Sequence, residues 1–274
     1  MRKTSIPDTH DADTLRLEEL LSLAAEFTRL NDRLHAETTA GKAAKLLDAV
    51  VETRRLTEST LDSIKAVQSK PMYFTATVRE AGASLRQVGY LATGAADHLI
   101  ESLDILHKAR PTETGPEAPQ QYVQARIRAA QEVTAARELL AAAPSTCADV
   151  ATSLAAELRR QPQTAPAGPH LPLSPSQFAA LQAIARGRVN VFQGAGKEWA
   201  SSREKDRLTI ATIRSLEAKE LILREPCPGL FPTQRPHLTP AGRRVLLELA
   251  ARPGPPRTAT RLAAMPSRQP ARSR

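Results

Sequence analysis

Apolar residues recur at heptad spacing through much of the first 160 residues, and this pattern limits the fold more than any other feature of the chain. The first seam consists of five side chains: Leu20, Leu23, Phe27, Leu30 and Leu34. Their a/d spacing places them on one face of a helix, as in coiled coils and helical bundles. We therefore predict a helical bundle or coiled-coil domain at residues 12–160, preceded by a flexible N-terminus at residues 1–11.

Four stretches of this domain are predicted to be helical: 12–67, 72–109, 120–143 and 146–160. In the first stretch, the segment HAETTAGK interrupts the apolar pattern, which then resumes in another phase. The positions after the interruption are Leu47, Val50, Leu61 and Ile64. One long bent helix and a hairpin of two helices both fit this interruption.

The later helices have their own predicted core positions. In the second stretch they follow consecutive heptads: Val78, Ala81, Leu85, Val88, Ala92, Ala95, Leu99, Leu103 and Leu106. In the third stretch they are Tyr122, Ile127, Val133 and Leu140. Pro144 is predicted to end that helix, and Ser145 to cap the next one.

The residue types available for a core favour helices over sheets. Hydrophobic residues make up 41% of the chain, but aromatic residues only 3%. Such a core is built mainly from alanine, leucine, valine and isoleucine, and too few β-branched and aromatic residues remain for a large sheet. The predicted fold class is mainly α.

Positive charge is concentrated in the last third of the chain. Residues 174–274 contain 18 Lys and Arg against 7 Asp and Glu, whereas residues 1–173 contain 20 against 22. This asymmetry is typical of proteins whose basic part binds a polyanion, most often nucleic acid. The last segment, 253–274, has five arginines, no acidic residue and low complexity, which predicts a disordered basic tail.

Motifs for catalysis, cofactors or metals are not recognisable. Cys147 and Cys227 lie far apart without a CxxC pair, so neither a disulfide framework nor a zinc ribbon is predicted. GAGK at 194–197 lacks the spacing of a phosphate-binding loop. His98 and Glu101 share a helical face as in di-metal bundles, but a second such motif is missing, and a solvated face is favoured. We predict no enzyme, no cofactor and no metal site.

The chain carries no signal for export or membrane insertion. The first twenty residues lack an apolar leader, and no stretch is expected to be long and apolar enough to span a membrane. Arginine outnumbers lysine 29 to 9, which hints at a GC-rich bacterial genome. A cytoplasmic bacterial protein without a membrane partner is predicted.

A second domain is predicted at residues 174–252, after a proline-rich linker at 161–173. Ser174 is expected to cap its first helix with Gln177 as capping-box partner, and Gly187 to close that helix. VNVF at 189–192 alternates as a strand does. A polar turn with a return strand or a short helix follows, then a helix in LTIATIRSLEAKE, a strand at 221–225, a turn, another strand and a helix capped by Thr239.

Two strings in this domain resemble the MarR-like winged-helix family of bacterial regulators. TIRSLEAKELILRE is similar to the recognition helix of that family and its first wing strand, and HLTPAGRRVLLEL is similar to the segment after the wing. The resemblance covers residues 174–251 and implies an α+β winged-helix domain. Glu220 stands where the family usually has glycine, which would cost about 1 kcal/mol if the backbone there is left-handed. Residues 193–207 show no clear apolar helix, so a β-hairpin in place of the first helix of the helix-turn-helix is also open.

The resemblance also implies a site for duplex DNA. The recognition helix would present Thr209, Thr212, Arg214 and Ser215 to the major groove, where hydroxyls suit phosphates or base edges and arginine suits guanine. The wing would bring Arg224, Arg235 and His237 to the backbone or minor groove. Phosphates would be held ahead of the helix by Arg203, Lys205 and Arg207.

Two functions follow as hypotheses. The first is a DNA-binding protein, a bacterial transcriptional regulator whose helical domain forms a homodimer or docks a partner. The alternative is a structural or interaction protein whose winged module docks protein instead of DNA. The sequence does not specify the DNA sequence read, the effector, the oligomeric state or a repressor, activator or maintenance role.

Overall fold

The computed structural model describes residues 9–40, 43–68, 75–109, 118–160, 172–194, 196–202, 208–228 and 233–252. Within these residues, eight helices and four strands follow one another along the chain as α1 (Thr9–Ala40), α2 (Ala43–Gln68), α3 (Ala76–Lys108), α4 (Ala118–Leu140), α5 (Ala143–Arg159), α6 (Pro175–Ala185), β1 (Val189–Gly194), β2 (Lys197–Ser202), α7 (Ile210–Ala218), β3 (Ile222–Cys227), β4 (Thr233–Leu238) and α8 (Pro240–Ala250). The protein is mainly helical, with a small antiparallel sheet towards its C-terminal end. The proposed tail at 253–274 lies outside the described residues.

Helices α1 to α5 form an antiparallel bundle. The stretch at 12–67 is a hairpin of two helices, because Arg55 of α2 is paired with Glu26 of α1 and Arg33 of α1 lies 3.7 Å from Glu52 of α2. Helix α2 packs mainly on α3, α3 on α4, and α1 on α5. Helix α1 begins at Thr9, so the predicted flexible N-terminus is too long by three residues, and residues 1–8 are outside the description.

The heptad predictions for α1 and α3 are largely confirmed. All five positions of the first seam are at most 4% exposed, and the α3 positions are buried except for Leu103, which is partly buried. The predictions for α2 and α4 are half wrong. Leu47 and Leu61 are 56% and 46% exposed, and Tyr122 and Ile127 are 39% and 55% exposed. Val50 and Ile64 of α2 and Val133 and Leu140 of α4 are buried as predicted, so only part of each apolar stripe faces the core.

The corner between α4 and α5 differs from the prediction. Helix α5 starts at Ala143, so Pro144 lies in its first turn and does not end α4. Ser145 does not cap the helix; its hydroxyl donates to the Ala142 carbonyl oxygen at 3.0 Å. The segment Gln120–Arg159 is long and apolar enough to cross a membrane by length and composition, contrary to the sequence-based expectation, but half of its most apolar window is buried in the bundle. It is therefore weak evidence for a membrane span.

The second part of the chain forms a four-stranded sheet with three helices. The strand order is β2-β1-β4-β3, and every neighbouring pair is antiparallel. The predicted caps are confirmed. Ser174 and Gln177 form a capping box at α6, Gly187 follows α6 with a φ of 67°, and Thr239 caps α8 by accepting from the Gly242 amide.

The sheet domain packs directly on the bundle, and one hydrophobic core runs through both. Helix α8 lies against α5 and α1, and α6 also contacts both. Arg186, which caps the C-terminal end of α6, donates to Asp149 of α5 at 2.8 Å, and Arg244 of α8 donates to Glu18 of α1 at 3.2 Å. Side-chain packing therefore joins the two parts of the chain, and most of the linker predicted at 161–173 lies outside the described residues.

Candidate nucleic-acid interface

Helix α7 is anchored by its apolar side and presents a polar side outward. Ile213 and Leu216 are fully buried, because they face α6 and the sheet. The Thr209 hydroxyl accepts from the Thr212 amide at 3.2 Å and so caps the helix. Ser215 is turned towards α6, where its hydroxyl accepts from the Gln177 amide group at 2.9 Å. Thr209, Thr212 and Arg214 thus remain as the outward polar group.

Arg214 belongs to a cluster of two arginines and two glutamates, here named the Glu–Arg cluster. Arg214 donates to Glu198 of β2 at 3.0 Å, and its side chain is 62% exposed. Arg224 of β3 donates to Glu198 at 3.3 Å and to Glu217 of α7 at 2.9 Å, and is only 17% exposed. The cluster is charge-balanced, so the cationic face expected from the sequence is neutralised at its centre.

Glu198 stands at the centre of the Glu–Arg cluster. It lies opposite Gln193 in the β1–β2 ladder and accepts from the Gln193 side chain at 2.9 Å. The hydrogen bonds from Gln193 and Arg214, together with the charge of Arg224, lower the pKa of Glu198 to about 2. Glu198 is therefore fully ionised at neutral pH and competes with any anionic ligand for Arg214.

Arg235 and His237 lie on the other face of the sheet from α7. Successive strand residues point to opposite faces, and Arg235 and His237 share theirs with Glu225. This face meets α1. Arg235 donates to Asp32 of α1 at 2.8 Å, with both side chains 13% exposed, and also to the Gly187 and Val189 carbonyl oxygens. Arg235 and His237, both predicted as DNA contacts, thus lie buried against the bundle.

The α1–sheet contact has a second ion pair. Arg29 of α1 donates two hydrogen bonds to the Glu225 carboxylate, each 2.8 Å long. His237 is 3% exposed and its Nε2 lies 3.5 Å from Glu225. We name this set of residues the α1–sheet junction: Arg29, Asp32, Glu225, Arg235 and His237. It attaches the sheet to the bundle through charges that are about 200 residues apart in the chain.

Helix α7 is braced by a β-hairpin. Between α6 and α7 the described residues form β1 and β2, and β2 contacts α7. Among the described residues, this is the β-hairpin that the sequence left open as an alternative. Arg203, Lys205 and Arg207 lie outside the described residues. Glu220 follows α7 at the position where the MarR-like family usually has glycine. Its φ of 56° shows that the backbone there is left-handed.

The junction predicts a pH dependence of stability. Burial lowers the pKa of His237 to about 4, with a further lowering by Arg29 and Arg235 that Glu225 and Asp32 oppose. The unfolded chain takes up this proton near pH 6.5, whereas the folded chain resists it, so stability is full above pH 6.5 and falls towards pH 4. We expect urea unfolding to show about 2 kcal/mol less stability at pH 5 than at pH 7 from this group.

The variant His237→Gln should flatten that pH dependence, and His107→Gln on the exposed side of α3 should leave it unchanged. If the His237→Gln variant loses as much stability between pH 7 and pH 5 as the unmodified chain, His237 is not held neutral by the junction.

Several residues of this region were not anticipated from the sequence: Glu198, Glu217, Gln193, Arg29, Asp32 and Glu225. Glu198 could have been found, because alternation along 197–202 places it with Ala200 on the face towards α7.

Among the described residues, no three His, Cys, Asp or Glu side chains are grouped as a metal site. Burial raises the pKa of Cys147 to about 12 and that of Cys227 to about 11, so both thiols are protonated at neutral pH.

Comparison with known proteins gives no relative for this chain. No family model, no curated protein and no solved structure matches it. The likeness to MarR-like regulators therefore stays a resemblance of two short strings, and functional inference depends on the geometry described above.

Proposed function

We propose that the protein binds duplex DNA through the outward side of α7 and acts as a cytoplasmic bacterial transcriptional regulator. The observation that carries this proposal is Arg214. It is the exposed cation at the outward side of a short helix that stands on a small sheet, next to the Thr209 and Thr212 hydroxyls. Arginine on such a helix pairs well with guanine, and hydroxyls with phosphate oxygens. The excess of Lys and Arg in residues 174–274 supplies attraction to the phosphate backbone.

DNA binding by α7 requires Arg214 to exchange partners. In the free protein Glu198 holds Arg214, and a DNA phosphate or base edge would replace that carboxylate. The Arg214 side chain is 62% exposed, so water and salt screen this ion pair and the exchange costs little free energy. Arg224 keeps Glu217 during the exchange and therefore positions α7 against β3 rather than reading DNA.

The helical domain would supply dimerisation or docking of a partner. Leu47 and Val51 lie one turn apart on α2 and are 56% and 62% exposed, and Val123 and Ile127 on α4 are each 55% exposed. Exposed apolar pairs on helices are typical of interaction surfaces. A homodimer through these helices would suit a two-fold DNA site.

A second candidate function, docking of a protein by the sheet domain, is favoured by one observation. The Glu–Arg cluster has no net charge, and two of the expected wing residues are buried in the α1–sheet junction. A balanced cluster of arginines and glutamates suits a polar protein surface better than a polyanion. Measuring the DNA affinity of variants at Arg214 and Glu198 distinguishes the two functions.

We expect substitutions at the Glu–Arg cluster to change DNA affinity in opposite directions. Selection from a duplex library should yield a motif bound by the full chain and by residues 1–252. Arg214→Ala should weaken binding to that motif by about 1–3 kcal/mol, because a base or phosphate contact is lost. Glu198→Gln should strengthen it roughly threefold to tenfold, because a competing negative charge is removed.

The matched control is Glu80→Gln, an equal charge change on the exposed side of α3 that should leave DNA affinity unchanged. Affinity should be measured across a salt series with circular dichroism as a check on folding. If no motif is enriched, or if binding disappears whenever residues 253–274 are removed, α7 does not read DNA and the protein-docking function is favoured.

A further inference from the structure

The bundle contains a cavity that neither the Glu–Arg cluster nor the α1–sheet junction uses. It lies between α1, α2, α3 and α5, has a volume of about 520 Å³, and is open to solvent on one side. Pockets for drug-sized molecules usually have volumes of about 300–1,000 Å³. The cavity therefore has the size of a site for one small organic molecule.

The floor of the cavity is apolar. Its side chains come from all four helices: Leu20, Leu23, Val67, Val78, Leu154 and Leu158. Leu20 and Leu23 belong to the heptad seam of α1 and are at most 4% exposed, so the floor is continuous with the hydrophobic core. A ligand that covers this floor must present apolar surface to it.

The rim of the cavity is polar and carries more negative than positive charge. Its acidic residues are Glu19, Glu26, Asp62 and Glu157, and its basic residues are Arg16 and Arg55. Asp62 is paired with Lys65 at 2.9 Å, so the acidic character of the rim depends mainly on Glu19 and Glu157. The Arg55 guanidinium is already bound by Glu52 and Glu26, so it offers little to an anion. Glu157 is 13% exposed, and its only charged partner among the described residues is Arg160, which is itself 74% exposed.

We propose that this cavity binds an amphipathic organic cation, with its apolar body on the floor and its positive charge at the acidic rim. An anion of the same shape is disfavoured, because its charge would lie beside the carboxylates of Glu19 and Glu157. Since α1 lines the cavity at residues 16–26 and holds the sheet through Arg29 and Asp32, the bound cation contacts the helix that carries the α1–sheet junction.

The test compares two probes of nearly the same shape and opposite charge, tetraphenylphosphonium and tetraphenylborate. Isothermal titration of the full chain should show one site for the phosphonium and at least tenfold weaker binding of the borate. The double variant Glu19→Gln/Glu157→Gln should weaken phosphonium binding at least tenfold. Ser63→Trp, which places a bulky ring in the cavity, should abolish it.

The matched control is Glu80→Gln/Glu101→Gln, which removes two charges from the exposed side of α3 and should leave phosphonium binding unchanged. The proposal is overturned if the phosphonium does not bind, if the borate binds equally well, or if the Glu19→Gln/Glu157→Gln variant binds as the unmodified chain does. Each readout is independent of DNA, so failure here and failure of the DNA-binding proposal are distinguishable.

Discussion

Replacing Asp32 by alanine should lower the free energy of unfolding by about 3–5 kcal/mol, the cost of leaving one partner of a buried ion pair alone. Asp32 accepts from the Arg235 guanidinium at 2.8 Å, and both side chains are 13% exposed. Without Asp32, Arg235 keeps its hydrogen bonds to the Gly187 and Val189 carbonyl oxygens, and the other carboxylate of the junction, Glu225, is already bound by Arg29. The loss should be measured by urea unfolding of the full chain.

Asp62→Ala provides the matched control, because it removes the same side chain from a helix at an exposed ion pair. Asp62 is 73% exposed and bonds Lys65, so its loss should cost less than about 1 kcal/mol. A double-mutant cycle should show that Asp32→Ala costs much less when Arg235 is already alanine. Equal effects of Asp32→Ala and Asp62→Ala would mean that the sheet is not held on α1 by this pair.

The α1–sheet junction also shows where sequence reasoning reaches its limit. Alternation along 233–238 predicts that Arg235 and His237 share a face, and the structure agrees. The sequence does not say what covers that face, because Asp32 and Arg29 are brought there by tertiary packing across about 200 residues. The resemblance alone predicts a DNA contact for Arg235, whereas in the fold this side chain is bound to the Asp32 carboxylate.

Local signals in the sequence were more informative. The seam from Leu20 to Leu34 predicted the core face of α1, and Ser174, Gly187 and Thr239 marked helix ends at their observed positions. These features depend on side-chain periodicity and on hydrogen bonds a few residues apart, which the sequence contains directly. Leu47 and Ile127 were also predicted as core positions from apolar spacing, but both side chains are exposed. Which apolar positions are covered depends on how the helices pack in the bundle, and the spacing along one helix does not contain that information.

At α7 the sequence correctly predicted a helix, but not the charged residues that surround it. The neutralising residue, Glu198, lies on a strand in a segment for which a turn with a return strand or a short helix was expected. The net charge of residues 174–274 predicts a basic domain. The local charge around Arg214 depends instead on which carboxylates lie next to it in the folded protein. DNA binding by this face therefore depends on whether phosphate displaces Glu198.

Gly242→Ala should cost about 3 kcal/mol of stability, because a side chain at this position meets backbone that cannot yield. A Cβ atom here would lie 1.9 Å from the Leu221 carbonyl oxygen and 2.9 Å from its carbon. That oxygen accepts from the Thr239 amide at 3.0 Å, and the Thr239 hydroxyl donates to the neighbouring Glu220 carbonyl oxygen at 2.7 Å. Moving Leu221 away would therefore break the contact between the end of α7 and the start of α8.

Gly82→Ala is the matched control, since it makes the same change within a helix where space exists. Its Cβ would lie 3.7 Å from the nearest side-chain atom, so the greater helix propensity of alanine should stabilise the chain by up to about 1 kcal/mol. Thermal or urea unfolding of both variants gives the comparison, and a stable Gly242→Ala variant would rule out the close approach of α8 to Leu221. Close packing against Leu221 is thus sufficient to explain the glycine in HLTPAGRRVLLEL. This glycine supports the packing of α8 on the sheet and carries no information about DNA binding, which is tested by the substitutions at Arg214 and Glu198.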